Sequence, residues 1–151
     1  MQALTDTHLT FRRAVSADIP TLMRIRLAVK ENRLSDPSRV TVADCEAYLD
    51  ELGRGWVCEE DGQIIAFSYA ARADHSIWAL FTDPEHEGKG AGKYLLQLAV
   101  DWLFELGAER VQLGTAVGTR AERFYAAQGW QRGGMRNGIE VEFMLARPST
   151  A

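Results

Sequence analysis

The run Leu80-Phe81-Thr82-Asp83-Pro84-Glu85-His86-Glu87-Gly88-Lys89-Gly90-Ala91-Gly92-Lys93-Tyr94-Leu95-Leu96 passes from a strand to a helix through three alternate glycines. Ile77 to Thr82 reads as the strand and Asp83-Pro84 as its exit turn. Beyond the glycines, Tyr94, Leu98 and Trp102 recur every four residues, and so do Leu95, Ala99 and Leu103. That spacing predicts a helix with one wide apolar face, closed by Gly107. Glycine lets the backbone turn without a Cβ and approach an oxygen closely, and a helix start favours an anion. The segment therefore predicts a phosphate cradle made by the backbone of Gly88, Lys89, Gly90, Ala91 and Gly92. Lys89 and Lys93 are its candidate cations.

Outward from this segment the chain alternates between helical and strand periods. Leu9 to Val15 reads as a first strand. A helix follows with Ser16 as N-cap and Ile19, Leu22, Ile25 and Val29 on one stripe, running to about Lys30. Glu31 to Val40 carries turn formers and reads as a loop. Thr41 with Asp44 forms a capping-box pattern for a second helix ending near Gly53. Trp56 to Glu60, Asp61-Gly62 and Gln63 to Ala70 predict a hairpin with a two-residue turn. After the long helix come a strand at Arg110 to Thr115 and a short helix opened by Thr119 and Glu122 and ending at Gly129. Trp130 to Met135 and Ile139 to Ala146 read as a last antiparallel pair. The expected fold class is mixed α/β in the order β-α-α-β-β-β-α-β-α-β-β, with residues 5–147 as a single domain.

Composition narrows the function classes. The chain has 151 residues, 46% hydrophobic and 25% charged, with net charge −4, so disorder and a basic nucleic-acid surface are not the default. Cys45 and Cys58 are the only cysteines and are too far apart for a CxxC pair. Two thiols do not make a four-ligand zinc site, so no metal is expected, and the reading is two free thiols in a reducing cytoplasm. No apolar run reaches the ~20 residues of a membrane span, and residues 1–20 hold no signal-length run. The expectation is a soluble cytoplasmic enzyme or small-molecule binder.

Two phosphate-loop patterns fail on the letters. The P-loop needs Ser or Thr after Gly92-Lys93, where Tyr94 stands, and a glycine where Glu87 stands. The dinucleotide pattern read from Gly88 needs a glycine at Lys93. A third pattern, Q/R-x-x-G-x-G/A, is met at Gly90 and Gly92. On it, on Phe124-Tyr125-Ala126-Ala127-Gln128-Gly129-Trp130, and on the hairpin Glu60-Asp61-Gly62-Gln63-Ile64-Ile65-Ala66-Phe67, the chain resembles the GNAT acetyltransferase superfamily over nearly its whole length. It departs from that family at Glu87, where Gln or Arg is usual, at Gly118, where Asn is frequent, and at Ala66, where Gly is frequent.

The resemblance implies transfer of an acetyl group from acetyl-CoA to an amine of a small molecule or peptide. It implies that Gly88 to Gly92 hold the pyrophosphate, that the backbone of Leu80, Phe81 and Thr82 pairs with the pantetheine arm, and that Tyr125 protonates the departing thiolate. Such an amine, with an ordinary pKa near 10.4, is neutral about once in 2,500 molecules at pH 7, so a base is worth up to ~4.6 kcal/mol. Asp74, His75, Glu140 and Glu142 are candidate bases, with a water relay equally open. Glu31, Asn32, Arg33 and Asp36 are candidate acceptor contacts, and pairing through Ile139 to Ala146 would make a homodimer. The alternative is a regulatory domain that holds acyl-CoA without turnover.

Overall fold

The Asp61-Gly62 pair folds back one strand on the next. Both residues take positive φ, 52° and 85°, as the mirror-image two-residue turn requires. In the computed structural model, which describes residues 9–29, 41–136 and 138–148, this hairpin sits inside a seven-stranded sheet. The strands are β1 (Leu9–Arg13), β2 (Gly53–Glu60), β3 (Gln63–Ala71), β4 (Ser76–Thr82), β5 (Arg110–Ala116), β6 (Gln131–Met135) and β7 (Glu140–Ala146). The helices are α1 (Ile19–Ala28), α2 (Val42–Ala47), α3 (Ala91–Glu105) and α4 (Arg120–Ala127). This is the expected element order.

The sheet runs β1-β2-β3-β4-β5-β7-β6, antiparallel throughout except where β4 meets β5. That parallel neighbour needs a crossover, which α3 supplies. β3 is buried from Ile64 to Ala71 because it is covered on both faces. On one face α1 and α2 bury Ile19, Leu22 and Ile25 against Val57, Phe67 and Tyr69. On the other, Leu95, Ala99, Trp102 and Leu103 of α3 meet Trp56, Ile65, Val111 and Leu113, and Tyr125 of α4 meets Phe143. Cys45 lies in the first core and Cys58 in the second, both as free thiols.

Several local expectations change. Ser16 does not cap α1; it opens a single 3-10 turn, and its hydroxyl donates to the Glu46 carboxylate. The turn is secured from its other end, where Asp18 accepts the Val15 N–H at 2.8 Å. α1 stops at Ala28, which leaves Val29 extended beyond it. Thr41 and Asp44 do form the capping box, but α2 is short and Gly53 belongs to β2. A Cβ at Gly53 would stand 1.9 Å from the Ala70 carbonyl oxygen, so this glycine serves close strand approach, not a helix end. Tyr94 leaves the apolar face of α3 and lies exposed, its ring 4.3 Å from that of Phe11. Trp56, Trp102 and Trp130 are core, whereas Trp78 is half-buried. β7 is an inner strand flanked by β5 and β6, and the edge strands of the sheet are β1 and β6.

Candidate functional site

β4 pairs with β3 from Ser76↔Ala71 to Thr82↔Ala66, yet its register with β5 holds a single pair, Ser76↔Gln112. Past that point the two parallel strands part. Among the described residues the β5-facing backbone groups from Ile77 to Thr82 pair with no strand, and a cleft of about 940 Å³ opens beside Leu80 to Thr82. Leu80, Phe81 and Thr82 form one wall, Asp83 to Lys93 the rim, and Arg120, Ala121, Phe124 and Tyr125 the other wall. Arg24 and Ala28 of α1, with Val29 just beyond it, close one end. The cleft thus gathers Leu80, Phe81, Thr82, Gly88, Lys89, Gly90, Ala91, Gly92, Lys93 and Tyr125.

The glycines differ in what they do. Gly88 and Gly90 sit at φ 81° and 85°, which L side chains avoid, and no atom lies within 4 Å of a Cβ built on either. Gly90 is also the N-cap of α3 and offers no side-chain acceptor, so the first N–H groups of the helix face the cleft without one. Gly92 lies within the helix, where a Cβ would make only ordinary contact with Thr82 Oγ1 at 3.6 Å.

Lys89 and Glu87, which flank Gly88, are already partnered. Lys89 Nζ lies 2.7 and 2.8 Å from the two oxygens of Glu60, and His86 Nδ1 lies 3.2 Å from one of them. The Lys89 ammonium holds the Glu60 carboxyl below the usual carboxylate range against the cost of desolvation, with a smaller contribution from His86. Lys93 is exposed. Glu87 reaches across the cleft to Arg120, 2.7 Å from its Nη2.

α4 is anchored so that Tyr125 faces this space. Thr119 Oγ1 accepts the Glu122 N–H at 3.3 Å and donates to the Ala116 carbonyl at 2.8 Å. The Glu122 carboxylate does not complete the box on Thr119. It accepts the Gly118 N–H at 2.7 Å and Arg132 Nε at 2.8 Å. Gly118 holds φ 81°, a conformation that Asn, its counterpart in the resemblance, also tolerates. The Tyr125 ring packs 5.8 Å from Trp130 and 5.9 Å from Phe143. Burial pushes its hydroxyl pKa above the ordinary phenol value, so the O–H is retained across the working pH range.

The candidate bases lie elsewhere. Asp74 and His75 line a separate hollow of about 440 Å³ with Gln112 and Met144, at the end of β4 where it still pairs with β5. Glu142 stands on β7, 3.9 Å from Arg136, and neither it nor Glu140 lines the cleft. Glu31, Asn32, Arg33 and Asp36 lie outside the described residues. Sequence reasoning missed Asp83, which is buried, accepts the Glu85 N–H at 3.1 Å and stands 3.7 Å from Arg24. Its signal was legible: Asp before Pro is a cap followed by a first-turn proline. Arg120 was missed with no local signal, since its partner is far away in sequence. Among the described residues no three His, Cys, Asp or Glu side chains gather as metal ligands, and no helix is long and apolar enough to cross a membrane.

The model of the acetyltransferase (GNAT) family matches residues 19–130. A mycothiol acetyltransferase of Sanguibacter keddieii is 32% identical over 130 residues, or 77% of this chain. The chain spans about two fifths of that relative, 39% of its length. Among solved structures, the Salmonella typhimurium protein yncA with its cofactor acetyl-CoA is 20% identical at TM-score 0.73, covering 95% of this chain and 97% of its own. The PaiA N-acetyltransferase of Thermoplasma acidophilum in complex with coenzyme A is 14% identical at TM-score 0.79, covering 92% of this chain and 99% of its own. Both likenesses are of the fold.

Proposed function

The chain belongs to the acetyltransferase (GNAT) family, and from that premise we propose that residues 5–147 act as an N-acetyltransferase, moving the acetyl group of acetyl-CoA to a primary amine of a small molecule or peptide. The observation that carries this reading is the parting of β4 from β5 beside the glycine turn, with Tyr125 lining the same cleft. An extended amide-bearing arm laid along Leu80 to Thr82 takes the place of a missing strand and satisfies backbone groups that β5 leaves unpaired. Its phosphates then meet the N–H groups at Gly88 to Gly92 and the start of α3. Both ends of one long substrate are served by one cleft.

In the reaction the amine nitrogen attacks the thioester carbonyl and the C–S bond breaks. The sulfur, with an ordinary thiol pKa near 8.5, leaves with the bonding pair and takes the hydroxyl proton of Tyr125. The tyrosinate is reprotonated by the proton that the amine gives up. A retained O–H suits Tyr125 to donate and unsuits it to act as the initial base. Among the described residues the carboxylates that reach the cleft are Asp83, Glu85 and Glu87, so amine deprotonation falls to one of these or to water.

The test has two stages. Acetyl-CoA at many times its Kd should raise Tm by several degrees, and release of free thiol across a panel of amines should identify an acceptor. No shift in Tm removes the acetyl-CoA reading. A shift with a silent panel favours a module that binds acyl-CoA without turnover.

A further inference from the structure

An ion pair spans the cleft that the proposed substrate must enter. Glu87 immediately precedes Gly88 on the rim, and Arg120 is the first residue of α4 on the facing wall. Both line the cleft, and Arg120 Nη2 lies 2.7 Å from Glu87 Oε1. A carboxylate beside a phosphate cradle repels the phosphate unless a cation answers it. Lys89, the nearest cation along the chain, is engaged by both oxygens of Glu60. Arg120 joins Lys93 as a cation at the rim, and it is the one that faces Glu87. Its side chain is 59% exposed, so it exchanges partners without a change in the core. An exposed pair is weak, and a guanidinium fork matches a phosphate at least as well as a carboxylate.

We propose that Arg120 is a phosphate-binding cation of this cleft and that Glu87 holds it in reserve. The arriving pyrophosphate takes the guanidinium from the carboxylate, and the bridge opens as the substrate seats. The ligand is the pyrophosphate and not the phosphate of the adenosine, because Glu87 adjoins the glycines themselves. The inference rests on reading the cleft as an acetyl-CoA site.

Calorimetric titration of the full chain with CoA, dephospho-CoA and pantetheine tests it, using wild type, Glu87→Gln, Arg120→Gln and Arg120→Lys. Removing the competing carboxylate should tighten CoA several-fold. Arg120→Gln should weaken CoA and dephospho-CoA alike by about tenfold, leave pantetheine unchanged and flatten the salt dependence. Arg120→Lys should recover part of the loss, and unchanged melting curves keep folding out of the comparison. Weaker CoA binding in Glu87→Gln would make the pair a scaffold and overturn the proposal. So would an unaltered Arg120→Gln, or a loss seen with CoA but not with dephospho-CoA. A wild-type chain that binds none of the three overturns the acetyl-CoA reading itself, a result distinct from all of these.

Discussion

Tyr125 and Asp18 show how a single side chain is tuned by what surrounds it. Tyr125 is ringed by aromatics, and its raised pKa keeps the proton on oxygen. Tyr125→Phe deletes the proton and little else, so kcat should fall by about a hundredfold with cofactor Kd unchanged. An unchanged kcat would remove Tyr125 from the reaction. The rate profile of the wild type should show no falling limb below pH 10 from this residue, because its pKa is displaced well above the ordinary phenol value. Asp18 is tuned the other way. The Arg12 guanidinium, 2.9 Å from each carboxylate oxygen, holds its carboxyl below the usual range. A carboxyl with a folded pKa below its unfolded value near 4 stabilises the fold above that value. The contribution is lost as pH falls through the folded pKa. Acid unfolding of Asp18→Asn should accordingly be less steep below about pH 4 than that of wild type. Equal slopes would mean that the Arg12 contact has no energetic weight.

The elements divide between those legible in the sequence and those that only the folded chain reveals. The Asp61-Gly62 turn and the Thr41-Asp44 capping box were readable because each is complete within four residues. The same holds for the α3 stripe, which a 3.6-residue period alone predicts. Gly53 was misread because its reason, the Ala70 carbonyl on the neighbouring strand, is not local. The pairing of Glu87 with Arg120 escaped for the same cause: an ion pair across a cleft has no period and no motif. The glycine turn was legible as a group, yet its members are not equivalent. Gly90→Val places a branched Cβ at φ 85° on the cap of α3 and should cost about 1–2 kcal/mol along with most cofactor affinity. Gly92→Ala meets only a 3.6 Å contact in a helical conformation and should leave Tm unchanged or slightly raised. Paired melting and titration curves decide the matter; equal losses in the two variants would refute the distinction.

At the scale of the whole molecule, two cores back one sheet, and each holds one thiol. Burial raises the Cys45 thiol above its ordinary pKa and pushes Cys58 up to about 11, so neither is a thiolate at neutral pH. An aromatic disulfide reagent should label the native chain slowly and the unfolded chain at once. Mass mapping of the label then reports the opening of the α1–α2 face through Cys45 and of the α3 face through Cys58. Labelling of either within the mixing time in native buffer would contradict the burial.

The single register pair between β4 and β5 has a mechanical meaning. The sheet is two plates hinged at one corner, with α3 as the strap that touches β2, β3, β4 and β5. Such a seam has one loose degree of freedom, the angle of the wedge, and whatever fills the wedge fixes that angle. Filling it should slow hydrogen exchange at the amides of β4 and β5 on both sides of the gap, far beyond the atoms touched. Part of the free energy of binding is then spent as tertiary structure, and the loaded protein is the more completely folded one.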